Sequence, residues 1–182
     1  MGRTVILLLL AGCTPDQEPV RTVAAVEIPL RSDADRRNLV AIFQRHATPN
    51  GLHVDDVSER WRTFEAEANA IAPEDRGTVY IGLWRGDDDD ENEALADDRF
   101  HPGRIWVTFP RGLQPDRSTR VRVPLLADIR RHWPEARPLP ILPDGGLPLP
   151  DDLAMTDQGY RIVRSAGPRY NLPATSPMLA RP

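Results

Sequence analysis

Acidic residues cluster at positions 87–93, and this segment is the strongest local concentration of charge in the chain. Carboxylate and amide oxygens at alternating positions are the ligands that Ca²⁺ takes in an EF-hand loop. The match to such a loop is incomplete, because Asn92 stands where glycine is needed and Asp98 stands where the longer Glu is usual. The segment therefore fits a solvated loop or a partner-binding patch better than a metal site, and we expect no cofactor.

Other residues with catalytic potential are scattered along the chain. The carboxylate pairs Asp55/Asp56 and Asp151/Asp152 have the chemistry for acid–base work, but nothing in their surroundings marks them. The chain has neither a GxSxG nor an HExxH motif, and no phosphate-binding glycine loop. The histidines lack a second ligand at metal-site spacing; they are His46, His53, His101 and His132. We therefore predict that the protein is not an enzyme.

Two segments rich in β-branched and aromatic residues, 78–84 and 104–109, give the clearest strand signal. We expect them to pair as an antiparallel hairpin around the connection 85–103. Strand alternation then places Trp84 and Trp106 together on the face opposite the apolar one.

This hairpin and its acidic connection are the predicted partner-binding surface. Aromatic and arginine side chains dominate the energetically important positions of protein interfaces, and both kinds are concentrated here. The predicted contact residues are Tyr80, Trp84, Arg85, Asp87, Asp88, Asp89, Asp90, Glu91, Glu93, Phe100, Arg104 and Trp106. The structural alternative is that the two tryptophans form a covered cross-strand pair and that Phe100 packs on the sheet.

The only cysteine, Cys13, closes an apolar run near the start of the chain. Arg3 precedes that run, and the small residues Ala11 and Gly12 stand directly before the cysteine. A charged n-region, a short h-region and small residues at the end are typical of a secretory signal peptide. The run is far shorter than the roughly 20 apolar residues that a membrane-spanning helix needs.

The quartet Leu10-Ala11-Gly12-Cys13 resembles the lipobox of bacterial lipoproteins. The resemblance implies cleavage by signal peptidase II before Cys13 and lipidation of that cysteine, which anchors the protein in a membrane. Aspartate after the cysteine usually retains such lipoproteins in the inner membrane. Thr14 stands there instead, so the resemblance implies the outer membrane with the protein facing the periplasm.

The rest of the sequence indicates one α+β domain. We expect a signal peptide at 1–12, a flexible tether at 13–25, the domain at 26–164 and a proline-rich flexible tail at 165–182. Helical patterns at about 32–47, 57–71 and 122–133 alternate with strand patterns. Ser32 followed by Asp35 resembles a capping box at the start of the first helix, and its apolar stripe consists of Leu39, Val40, Ile42, Phe43 and Ala47. The order of helices and strands predicts a single mixed or antiparallel sheet with helices on one face, and a ferredoxin-like variant is the nearest named architecture.

The net charge of the chain limits the kinds of partner that we expect. Asp and Glu outnumber Lys and Arg by 27 to 23, for a net charge of −4, which argues against a nucleic-acid partner. Small anchored domains of this sort resemble the immunity lipoproteins that neutralise toxins arriving in the periplasm. We expect a non-catalytic lipoprotein that binds a protein partner there. The alternatives are an envelope structural or assembly lipoprotein, and a metal-binding or hydrolytic one.

Overall fold

The computed structural model describes residues 21–68, 79–86, 91–98 and 104–181. The lipobox, Asp87–Asp90 and Phe100 lie outside these residues. In chain order the helices and strands are β1 (Thr22–Pro29), α1 (Asp33–Ala47), β2 (His53–Asp56), α2 (Ser58–Ala68), β3 (Tyr80–Arg85), β4 (Glu91–Asp97), β5 (Arg104–Pro110), α3 (Pro115–His132), β6 (Arg137–Pro138), β7 (Leu153–Thr156) and β8 (Gly159–Ile162).

The first six strands form one antiparallel sheet in the order β2-β3-β4-β5-β1-β6, and the predicted α+β class is confirmed. Within it, the succession β1-α1-β4-β5-α3-β6 has the spatial order β6-β1-β5-β4. This is the strand order of a ferredoxin-like fold. The unit β2-α2-β3 is inserted after α1 and extends the sheet at the β4 edge.

The main core lies between one face of the sheet and the helices α1 and α3. Ser32 caps α1 by accepting a hydrogen bond from the Asp35 backbone N–H at 3.3 Å, as the capping pattern in the sequence suggests. Leu39 and Phe43 of α1, and Leu125 and its neighbours on α3, are fully buried against the strands. The opposite side of the sheet is called the outer face below.

Helix α3 is longer than the sequence predicts, because it begins at Pro115 rather than near residue 122. Pro124 therefore lies in the middle of the helix and not in its first turn. Its ring removes the N–H that the Arg120 carbonyl would accept, but both residues are exposed and water can satisfy that oxygen. None of the helices among the described residues is long and apolar enough to cross a membrane.

The predicted hairpin of 78–84 with 104–109 is wrong, because a further strand lies between its two members. Strand β4 pairs with β3 on one side and with β5 on the other. Ala94 and Ala96 point into the main core and are fully buried, so residues 91–97 of the predicted connection are part of the sheet. Glu91 and Glu93 made this segment look like part of an acidic loop, so the alternation of apolar and polar residues in β4 was not recognised.

The two predicted flexible ends are also corrected. Strand β1 starts at Thr22, four residues inside the expected tether, and Ala25 is buried. At the other end, residues 164–170 form a short 3₁₀ helix, and Leu179 bridges Ile162 of β8. These residues build a second small core of their own, so the described part of the tail is ordered packing rather than a flexible appendage.

Candidate partner-binding site

Trp84 and Trp106 both lie on the outer face of the sheet, as strand alternation predicts. Their neighbours Leu83 and Val107 point into the main core. The two tryptophans are not a cross-strand pair, however, because β4 separates β3 from β5. Their surroundings consequently differ.

Trp106 is buried and cannot contact a partner, which corrects its place in the predicted surface. Its side chain is 3% exposed and packs with Ala25 and Leu139 beneath the C-terminal segment, defined here as residues 139–181. The indole Nε1–H donates to Glu27 at 3.0 Å. The structural alternative is correct only in that Trp106 is covered: the two tryptophans do not pair, and the covering residues lie at 139–160.

Arg104 is held by an ion pair within the molecule, although its side chain is 43% exposed. Its guanidinium donates to the buried carboxylate of Glu27, and Tyr160 donates its hydroxyl to the same carboxylate at 2.7 Å. Burial would lower the pKa of Arg104, but the Glu27 carboxylate outweighs that effect and raises it. For Tyr160, burial and the Glu27 hydrogen bond together raise the pKa to about 12. This cluster joins β1, β5 and β8 and is structural.

Arg85, Glu91 and Glu93 form a second internal group at the end of the β3–β4 pair. Arg85 donates to Glu93 at 2.5 Å, and Glu93 is only 2% exposed. Glu91 accepts the backbone N–H of Leu113 at 2.5 Å and lies 3.7 Å from Arg85. These three residues stabilise the strand ends and are removed from the predicted contact surface. Asp87–Asp90 and Phe100 lie outside the described residues, so their predicted role stays a prediction.

Tyr80 and Trp84 remain, and they lie in an aromatic pocket that the sequence did not indicate. Trp61 of α2 stacks on Tyr80, with ring centroids 4.7 Å apart and an interplanar angle of 17°. Phe64, one helical turn further on, lies 5.3 Å from Trp61 and is 49% exposed. The pocket has a volume of about 360 Å³, and its lining is completed by Asp55, Val57 and Arg60.

Gly82 shapes the floor of this pocket. A Cβ atom at that position would lie 1.9 Å from the Trp84 indole nitrogen, so the indole lies flat against the glycine backbone. The indole therefore packs on the sheet at Gly82 and also lines the pocket. Glycine is required here because of this close approach of a ring to the backbone.

The position of α2 over the outer face is fixed by hydrogen bonds just behind the pocket. Arg36 of α1 binds Asp56 through two nitrogens, at 2.7 and 3.2 Å from the same oxygen. Ser58 donates to Asp56 at 2.5 Å and accepts the Tyr80 backbone N–H at 2.8 Å. Burial would raise the pKa of Asp56, but the hydrogen bonds from Ser58 and Arg36 outweigh it and lower the pKa.

The chemistry of this pocket suits binding. Mostly apolar, aromatic walls with one carboxylate and one guanidinium at the rim are typical of a recognition site. A larger groove of about 550 Å³ in the C-terminal segment is polar and includes Arg161 and Arg164. Among the described residues, no group of three or more His, Cys, Asp or Glu side chains is arranged to hold a metal ion.

Among the described residues, His46 and Asp128 form a hydrogen-bonded pair of a kind that can take part in acid–base catalysis. His46 Nε2 lies 2.9 Å from Asp128, which also binds Arg45 and Arg131. The His46 hydrogen bond, followed by those of the two arginines, lowers the pKa of Asp128 even though its burial opposes this. The cluster connects α1 to α3, and its carboxylate is already saturated with donors. A structural role accounts for all of its contacts.

We expected every helix on one face of the sheet, and that prediction is wrong for α2, so Trp61 and Phe64 were missed as site residues. Spacing along α2 is helical, but Trp61 contacts the outer face while α1 and α3 cover the other. A usable signal was present: Tyr80 and Trp84 alternate onto the outer face, and a helix with aromatic residues precedes them directly. No protein-family model matches the chain, and no curated protein matches its sequence at a significant level.

Proposed function

We propose that this protein is a lipid-anchored envelope protein that binds a protein partner in the periplasm through the aromatic pocket. Cys13 carries the anchor, in the outer membrane. The binding role is non-catalytic and of the immunity or inhibitor kind. The observation that carries the proposal is the open pocket of Trp61, Phe64, Tyr80 and Trp84 on the half of the outer face that the C-terminal segment leaves uncovered.

Aromatic side chains held in place before binding lose little conformational freedom when a partner arrives. Trp61 is fixed between Phe64 and Tyr80, and Trp84 is fixed against Gly82. A pocket prepared in this way can accept one anchoring side chain from a partner loop, and such anchors supply most of an interface's binding free energy. The half-exposed Phe64 ring extends the contact surface beyond the pocket.

The partner is tested by affinity capture from envelope extract, using the full chain and three variants. Trp84→Leu and Phe64→Ser change the pocket, whereas Leu113→Ser changes an 83% exposed leucine that does not line it. We expect one partner to be retained by the wild-type chain and by Leu113→Ser. Both pocket variants should lose it. With the purified partner, the Kd should rise roughly tenfold or more for Trp84→Leu.

Capture of the same proteins by all four chains would contradict the proposal. The identity of a pocket-dependent partner then separates the function classes. A soluble toxin-like protein supports the immunity role, and an outer-membrane assembly supports the envelope-assembly alternative.

Anchoring is tested separately with Cys13→Ser. One acyl chain binds a membrane only marginally, whereas several chains anchor it firmly. We therefore expect the wild-type chain in the outer-membrane fraction, carrying lipid detectable by mass spectrometry, and Cys13→Ser without that lipid and outside that fraction. If Cys13→Ser remained in the outer-membrane fraction and still carried the lipid, the proposed anchor would be contradicted.

A further inference from the structure

We infer that the aromatic pocket accepts a guanidinium group, so that the partner's anchoring side chain is an arginine. This inference rests on the proposed function and names the chemistry of the group that enters the same site. It is drawn from the one carboxylate that lines the aromatic pocket, on the strand beside Tyr80 and Trp84.

The strand register puts Asp55 directly opposite Gly82 in the β2–β3 pair. Tyr80 and Trp84 flank Gly82 on the same face, two residues apart in each direction. The Trp84 indole covers Gly82, and Asp55 lines the same pocket as both aromatic residues. A cation in that pocket meets a negative charge and aromatic side chains together, and both attract it.

Arg60 already shows that a guanidinium reaches this carboxylate. Its side chain lines the pocket, and its terminal nitrogen lies 3.7 Å from the Asp55 carboxylate. The contact is loose, because the Arg60 side chain is 77% exposed and that of Asp55 is 39% exposed. Exposed pairs of this kind contribute little stability. A partner's arginine that is desolvated in the interface can therefore displace Arg60.

Arginine suits the pocket better than lysine. A planar guanidinium stacks on aromatic faces while it donates two hydrogen bonds to one carboxylate, whereas an ammonium group is compact and strongly hydrated. The net charge of −4 also favours approach of a basic surface, and that attraction weakens as salt is added.

The test uses the purified full-length protein and two small probes of the same shape. N-acetyl-arginine methylamide carries the charge, and N-acetyl-citrulline methylamide is its neutral counterpart. The readout is the shift of the Trp61 and Trp84 indole N–H resonances during titration. We expect saturable binding of the arginine probe, at least fivefold tighter than that of the citrulline probe. The buried indole of Trp106 should not respond.

Three variants identify the groups responsible. Asp55→Asn should weaken binding of the arginine probe at least threefold and leave the citrulline probe unchanged. Arg60→Gln should strengthen it, because the competing internal guanidinium is gone. Asp151→Asn, an exposed carboxylate outside the pocket, is the matched control and should behave as wild type.

Equal affinity for the two probes, or no saturable binding of the arginine probe, would overturn the guanidinium inference. The proposed function would survive either result, because loss of a captured partner in Trp84→Leu does not depend on the charge of the anchoring group. If Trp84→Leu and Phe64→Ser also retained every captured protein, the proposed function would fail as well.

Discussion

Trp84 and Trp106 stand on the same face of one sheet, yet one lines an open pocket and the other is buried. Trp106 lies on β5 under the C-terminal segment and gives its indole N–H to Glu27. Trp84 lies on β3 beyond the reach of that segment, beside α2. The comparison teaches that the strand pattern assigns a tryptophan to a face, whereas the covering of that face decides whether the tryptophan packs or binds.

The two halves of the outer face also use charge differently. In the covered half, Glu27 is 2% exposed and its oxygens receive hydrogen bonds from Arg104, Trp106 and Tyr160. In the open half, Asp55 has one loose contact, with the exposed Arg60. A buried carboxylate must be fully satisfied because leaving it without donors is costly. An exposed one can exchange partners, which is what a binding site requires.

The largest expected contrast is in stability. Trp106→Ala should cost about 3–5 kcal/mol of unfolding free energy, because it leaves a cavity and removes a donor from Glu27. Trp84→Ala should cost clearly less, because part of its indole already lines an open pocket. Urea unfolding of both variants measures the two changes. Equal losses would show that the covered and open halves do not differ as described.

The C-terminal segment should behave as packed structure. Leu179 is 6% exposed in the second core, so Leu179→Ala should lower the unfolding free energy by about 2–4 kcal/mol. Leu113→Ala, at a residue that is 83% exposed, is the control and should change it by less than about 0.5 kcal/mol. A flexible tail would give the same small change at both positions, and thermal or urea unfolding distinguishes the two cases.

Tyr160 should ionise at a higher pH than an ordinary solvent-exposed tyrosine side chain, because its pKa is raised. The folded state holds its proton more tightly than the unfolded chain does, since its pKa is raised from 10.0 to about 12. Its contribution to stability is therefore complete below pH 10 and is lost as the pH rises towards about 12. Ultraviolet difference absorbance should resolve this late phenolate in the wild-type chain. If it persisted in Tyr160→Phe, the assignment to the Glu27 cluster would be wrong.

The smallest expected effect is at Asp56, behind the open pocket. Its folded-state pKa is lowered, so its contribution to stability is present above its unfolded pKa of about 4. That contribution is lost as the pH falls through the folded-state value. Asp56→Asn should therefore lose less unfolding free energy than wild type on acidification below about pH 4. Unfolding curves at a series of pH values measure this, with Asp151→Asn as the control; identical acid dependence in all three chains would contradict it.

Local sequence signals predicted the elements that depend on neighbours in the chain. The N-cap at Ser32 and the core-facing residues of α1 are examples, because a helix cap and an apolar stripe are determined within one or two turns. Strand β4 was missed because its acidic residues Glu91 and Glu93 suggested a loop, whereas in the fold they bind the Leu113 backbone and Arg85. Those partners lie 22 residues away or on the neighbouring strand, and the pattern within β4 does not reveal them.

The candidate site was predicted in part for the same reason. Tyr80 and Trp84 follow from alternation on one strand, but Trp106 was assigned to the surface without knowledge of what covers it. Proline in residues 165–182 suggested flexibility, yet Leu172 and Leu179 supply a small core there. Proline disfavours regular helix and central strand, but it permits packed irregular structure.

The amino-acid sequence by itself determined the α+β class, the faces of β3 and β5 and the lipobox-like quartet at Cys13, because these follow from periodicity and adjacent residue types. Only the tertiary structure decided that α2 brings Trp61 and Phe64 to Tyr80 and Trp84, and that residues 139–181 bury Trp106. Both outcomes depend on contacts between segments far apart in the chain. Those contacts are stabilised by the apolar surface that the two segments bury against each other. The residue pattern of a single strand does not show which other segment will cover it.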